Sequence, residues 1–161
     1  MPHPPRADLD ALIQALLSAK IDFIVVGGAA AVLHGAPITT QDLDIVHSRS
    51  ADNVRRLSTL LDQLDARIRG RDLRPTPDLL SGRGQLNLAT NLGPLDPLCV
   101  LHDGRGFEEL LPHTKVLTDG ASEIRVLDLD TLIAVKAAAG RARDKLVLPI
   151  LLALRDRSRT A

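Results

Sequence analysis

Leu9, Leu12, Ile13, Leu16 and Leu17 recur at the three- and four-residue spacing of one helical face, with Asp8 or Asp10 placed to cap it. A helix is expected over about 8–19, after a flexible tail, 1–7, that holds three prolines. Ile21 to Val26 is a short β-branched run ending at Gly27-Gly28, and Ala29 to His34 then carries strong helix formers up to Gly35. The expected order is strand, glycine turn, short helix. Leu43, Ile45 and His47 alternate with Asp42, Asp44 and Val46, the period of a second strand. Val54, Leu57, Leu60, Leu61 and Leu64 mark an amphipathic helix from Ala51 to Leu64, and the proline- and glycine-bearing stretch from Arg71 to Arg83 reads as an irregular connection.

The second half is patterned more weakly. Strands are expected over Gln85–Ala89 and Leu95–Leu101, a helical turn over Phe107–Leu111, and two short paired strands at Val116-Leu117 and Ile124–Leu127. Asp128 can cap a helix through Leu129, Leu132, Ile133 and Lys136 to Ala139, closed by Gly140. A last helical region over about 144–156 would be bent or restarted by Pro149. The order implies an α/β class (α+β mixed sheet), one domain over 8–157, with additional C-terminal helices and the helices mostly on one face of the sheet.

Composition narrows the function. The 161 residues are 45% hydrophobic and 25% charged, as expected of a soluble globular domain, and the 1% of aromatics rules out an aromatic platform for nucleic acid. The longest uncharged apolar run, Phe23 to Leu33, is far below the roughly 20 residues that a membrane-spanning helix needs, so no membrane association is expected. With the single cysteine, Cys99, and no apolar leader, a cytoplasmic setting is expected. Net charge is zero but segregated. Residues 49–74 carry seven arginines against four aspartates, residues 139–161 carry six basic against two acidic residues, and the rest is acidic. Such an arrangement suits a cation-binding centre approached by a phosphate-bearing substrate, and equally a bland surface mosaic.

Asp42-Leu43-Asp44 is the chemically densest stretch. Residues two apart on a strand share a face, so both carboxylates point one way while Leu43 and Ile45 enter the core. Two anions so close repel unless a cation sits between them, and hard oxygen ligands on a rigid strand suit Mg²⁺. Gly27-Gly28 ends one strand and begins a helix, where bare backbone N–H groups can seat an anion. His34, His47, His102 and His113 lack metal-ligand spacing.

Taken together, Val-Val-Gly27-Gly28, a short helix, a loop, and Asp42-Leu-Asp44-Ile-Val resemble the signature of the minimal nucleotidyltransferases of the DNA polymerase β superfamily. Thr90-Asn-Leu-Gly-Pro-Leu-Asp96-Pro looks like the strand that bears the family's third carboxylate. The stretch from Leu129 through Lys136 and Arg141 to Asp144 looks like the C-terminal helices of stand-alone bacterial members, including those of toxin–antitoxin and abortive-infection modules.

The resemblance implies a nucleotidyltransferase fold in which Asp42, Asp44 and Asp96 hold two Mg²⁺ ions, with Mn²⁺ as a substitute. It also implies phosphate contacts from Gly27, Gly28, Thr40, Lys136 and Arg141. For Lys136 a nucleotide phosphate and Asp144 are both open as partners, and Arg141 and Arg143 either grip phosphate or solvate a helix end. The implied reaction is attack of a hydroxyl on the α-phosphate of an NTP, with an RNA 3′ end or a protein side chain as acceptor and no DNA. A role beside a cognate toxin or antitoxin is implied in the same way. Two positions depart from the pattern: Gly28 stands where many relatives have Ser, and Ile38 where they have Arg, which weakens phosphate contacts. The alternative is a catalytically weak or inactive module of the same fold that binds nucleotide, RNA or a partner protein. A dinucleotide-binding domain fits poorly, because the glycines do not form Gly-x-Gly-x-x-Gly. An aminoglycoside-modifying enzyme would be expected to bring a larger acceptor-binding domain.

Overall fold

The computed structural model describes residues 2–160; Met1, the first residue of the expected tail, lies outside them. Helix α1 (Leu9–Ser18) is capped by the Asp8 carboxylate, which accepts from the Ala11 N–H, and buries Leu12, Ile13 and Leu16. Strand β1 (Phe23–Val26) runs into α2 (Gly27–Leu33), so this helix starts on the glycines themselves, two residues earlier than the sequence pattern indicates. Strand β2 (Leu43–His47) leads to α3 (Ala51–Gln63), whose Ser50 cap accepts from the Asn53 N–H. Asn53 is fully buried and bonds both the N–H and the carbonyl of Asp22 and the Ser48 carbonyl, which ties α3 to the ends of β1 and β2.

Three short elements follow: β3 (Arg67–Ile68), α4 (Pro77–Leu80) and β4 (Leu88–Ala89). The stretch expected to be irregular thus contains a helical turn, started by the Thr76 cap and Pro77. The strand expected from Gln85 shrinks to two residues, with Gln85 making only an isolated bridge to Leu98. Strand β5 (Leu95–Leu98), α5 (Phe107–Leu110) and a 3₁₀ turn (Leu111–His113) precede the hairpin of β6 (Thr114–Asp119) and β7 (Ser122–Leu127). Helix α6 (Leu129–Ala139) has the expected Asp128 cap and ends on Gly140 at φ 64. Helix α7 (Ala142–Thr160) continues through Pro149.

The seven strands form one mixed sheet in the order β3-β4-β5-β2-β1-β7-β6. β1 is antiparallel to β2 and parallel to β7, and β2 is parallel to β5. All four residues of β1 are buried, as are all of β2 except Asp44. The expectation of helices mostly on one face is therefore corrected: strands without alternating exposure are covered on both faces. The N-terminal segment lies against the domain, with the His3 ring 3.2 Å from Asp65 Oδ2 and the Ala7 N–H donating to the Gln41 carbonyl. Among the described residues no helix is long and apolar enough to cross a membrane.

Candidate active site

The register of two central strands builds the site. In the parallel β2–β5 pair, Asp44 lies opposite Asp96, and in the β1–β2 pair Asp44 lies opposite Val26, the residue before Gly27. Asp42 comes two residues before Asp44 on the same face, just ahead of β2. The three carboxylates each offer an oxygen within 4.8 Å of the others. Asp44 and Asp96 lie on central strands of the sheet, and Asp42 immediately precedes one of them.

Gly27 is required where it stands. Its φ of +64 is left-handed, and a Cβ built there would overlap Asp44 Oδ2, so only glycine leaves that oxygen its room. A Cβ on Gly28 would lie 2.9 Å from Thr40 Oγ, and the Thr40 hydroxyl donates to the Asp42 carbonyl at 3.1 Å. Gly28 and Thr40 thus hold the loop that delivers Asp42. No side chain caps the start of α2, so its first N–H groups stay available beside the carboxylates.

The electrostatics are those of crowded anions. Burial, then the charges of Asp96 and Asp42, push the Asp44 pKa up to about 7. Burial also raises that of Asp96, against the pull of Arg69. Arg69, which the sequence reading did not single out, forks onto Asp96 at 2.7 and 3.1 Å and stands 3.7 Å from Asp42.

A cleft of about 730 Å³ opens over the triad. Ile38, Leu98, Leu101, Leu132, Val135 and Val147 give it an aliphatic wall; Lys136, Arg141 and Arg143 give it a cationic side; Gln85 and His102 complete the polar lining. Of the two partners open for Lys136, the structure contains Asp144, at 3.4 Å, in an almost wholly buried pair. Arg141 Nε donates to the same carboxylate at 2.7 Å. Burial alone would raise the Asp144 pKa, but the Arg141 hydrogen bond and the Lys136 charge outweigh it and hold the group below the usual carboxylate range. Every residue assigned from the sequence, Gly27, Gly28, Thr40, Asp42, Asp44, Asp96, Lys136 and Arg141, lines this one cleft.

No protein-family model matches the sequence, and comparison with curated proteins gives no match. Solved structures do. The chain is similar to TM1012 of Thermotoga maritima, assigned as a nucleotidyltransferase, with a TM-score of 0.57 at 16% identity over 94% of this chain and 96% of that one. It is similar to the lincosamide antibiotic adenylyltransferase LnuA in a lincomycin-bound structure, with a TM-score of 0.65 at 12% identity over 94% and 99%. It is also similar to the antibiotic-resistance factor ANT(2″)-Ia, with a TM-score of 0.51 at 15% identity over 93% and 90%. The likeness extends over nearly the whole of each chain, and the protein has the nucleotidyltransferase fold.

Proposed function

We propose that the protein transfers a nucleoside monophosphate from an NTP to an acceptor hydroxyl, using divalent cations held by Asp42, Asp44 and Asp96. One observation carries this reading: three carboxylates from two paired central strands converge within 4.8 Å beside a glycine that has no room for a side chain. The residues fit a hard cation. All the donors are carboxylate oxygens, and burial together with the charges of Asp96 and Asp42 raises the Asp44 pKa, a cost that a bound cation relieves. Bound there, Mg²⁺ or Mn²⁺ would stabilise the entering and leaving oxygens of an in-line displacement.

The chain's own residues supply the rest. The acceptor oxygen bonds to the α-phosphorus, the bond from that phosphorus to the bridging oxygen breaks, pyrophosphate leaves, and the hydroxyl proton passes to a carboxylate, for which Asp96 is assigned. Gly27 and Gly28 present bare N–H groups to phosphate oxygens, and Thr40 positions Asp42. Arg141 and Lys136, steadied by Asp144, provide positive charge for the polyphosphate, with Arg143 beside them. Neither phenylalanine lines the cleft, so the base packs against its aliphatic wall, with the His102 ring as the aromatic group in the lining.

The acceptor proposed is an RNA 3′ end or a protein hydroxyl and not DNA. The setting proposed is a single domain over 8–157 acting in the cytoplasm as part of a toxin–antitoxin pair. One observation favours a second reading, a small-molecule hydroxyl. A larger acceptor-binding domain is expected of an aminoglycoside-modifying enzyme, whereas 99% of the lincosamide antibiotic adenylyltransferase LnuA is spanned by the likeness.

Incubation with each α-labelled NTP and Mg²⁺, against total RNA, lysate protein and a panel of hydroxyl-bearing antibiotics, tests both readings. Label is expected on one acceptor class with wild type, and Asp42→Asn is expected to lower transfer by at least about a hundredfold, the scale of losing charge stabilisation in a transition state. Absence of transfer from every NTP to every acceptor would leave the inactive module.

A further inference from the structure

Helix α7 has sides with different surroundings. Asp144 and Leu151 are buried against the domain, and Arg143 and Val147 line the cleft. Its outer side is apolar. Ala142, Leu146, Pro149 and Ala153 follow one another at intervals of four, three and four residues, the spacing of a seam along which two helices pack, and all four are exposed. Leu146 is 77% exposed, the most of any large hydrophobic side chain among the described residues. Further along, the same helix borders a groove of about 450 Å³, lined by Pro149, Ile150, Ala153 and Leu154 and by Gly35 and Pro37 from the loop after α2. An apolar knob and an apolar hole thus share one surface, and covering both removes apolar area from water.

A second copy of the chain supplies both halves of that fit. When two α7 helices pair antiparallel about a two-fold axis near Pro149-Ile150, Leu146 of one protomer lies opposite the partner's Ala153, at the groove, and the reverse contact follows by symmetry. A different protein would have to bring its own knob for the groove and its own hole for Leu146. The charges agree. Lys145 is exposed at the N-terminal end of the strip, and Asp156, its side chain 71% exposed, stands at the C-terminal end. Antiparallel pairing faces each lysine to an aspartate and opposes the two helix dipoles, whereas parallel pairing would set Lys145 against Lys145. We propose that the outer strip of α7 is a self-association surface, on which two copies of this chain pair antiparallel with Leu146 of each seated in the groove of the other. Arg143 and Val147 stay on the cleft side of the helix, so the pairing leaves the cleft open. This inference does not depend on the activity proposed above.

Sedimentation equilibrium of the ligand-free protein tests it. Wild type is expected to be dimeric at about 100 μM, a hundredfold excess over a micromolar Kd. Leu146→Asp alters a side chain so exposed that the fold should survive, which circular dichroism checks. It is expected to weaken the dimer by about thirtyfold or more, the scale of losing an interface anchor. Lys145→Glu and Asp156→Lys are each expected to weaken it a few-fold, the scale of an exposed ion pair, and the double variant to recover wild-type affinity. Wild type that stays monomeric at this concentration overturns the proposal and leaves the strip to an unlike partner. A dimer that folded Leu146→Asp leaves intact, or charge-swap losses that add instead of cancelling, overturns it equally.

Discussion

Asp44 concentrates the chemistry of the site in one ionisable group. It sits between Asp42 and Asp96 on a central strand, and burial followed by those two charges lifts its pKa to about 7. An unfolded chain would release the same proton near 4. Between about pH 4 and 7 the folded, cation-free protein therefore holds a proton that the unfolded chain has lost, and its stability falls as pH rises through that window, levelling above about 7. Asparagine keeps the shape and removes the charge. In EDTA, the urea midpoint of Asp44→Asn is expected to pull ahead of wild type progressively from pH 4 to 7. The gap should reach on the order of 2 kcal/mol, less than the full shift would give because the side chain is partly solvated. Adding Mg²⁺ above pH 7 should close the gap by raising wild type alone. A gap independent of pH would show that the carboxylates do not crowd one another in solution.

At the scale of elements, the join between α6 and α7 is made by one buried carboxylate. Asp144, 1% exposed, takes Lys136 from the preceding helix and Arg141 from the turn between them. Removing the acid strands a buried ammonium, so Asp144→Ala should cost about 3 kcal/mol in chemical denaturation. The double variant Lys136→Met/Asp144→Leu should recover most of that loss. Equal losses in the single and double variants would mean that packing, and not the pair, joins the helices. How much of this was legible beforehand follows the range of each signal. Asp42, Asp44 and the glycine corner could be read directly, because period-two alternation and the absence of a side chain are local. Asp96 needed the family resemblance, since nothing within a four-residue strand reveals that β5 pairs with β2 in a register opposing Asp44. Arg69 was invisible. It belongs to the margin of a two-residue strand, and its place is set by β3–β4–β5 pairing across nearly thirty residues of chain. The last helical region was expected to span Pro149 with a bend or restart there, and α7 runs through that residue from Ala142 to Thr160.

Across the whole molecule, the charge segregation visible along the chain is resolved in space. Arg69 from the first basic stretch pairs with Asp96 of the triad, and Arg141 and Arg143 from the second line the cleft above it, whereas Arg155 and Arg159 turn back to Asp130 on α6. The site joins residues from Gly27 to Asp144, drawn from α2, β2, β5, α6 and α7, so an unfolded chain presents nothing that could hold a nucleotide. Ligand bound only by the folded state stabilises it by mass action, by about 2.7 kcal/mol at a hundredfold excess over Kd. For a domain of this size that corresponds to a rise in Tm of roughly 5–10 °C. The matching NTP with Mg²⁺ should produce this shift in wild type, and Asp42→Asn should lose most of it. Because no turnover is needed, the same scan across the four NTPs ranks the bases even before the acceptor is known. A flat response to every NTP, with and without Mg²⁺, would mean that the cleft is not a nucleotide site, however well the carboxylates converge.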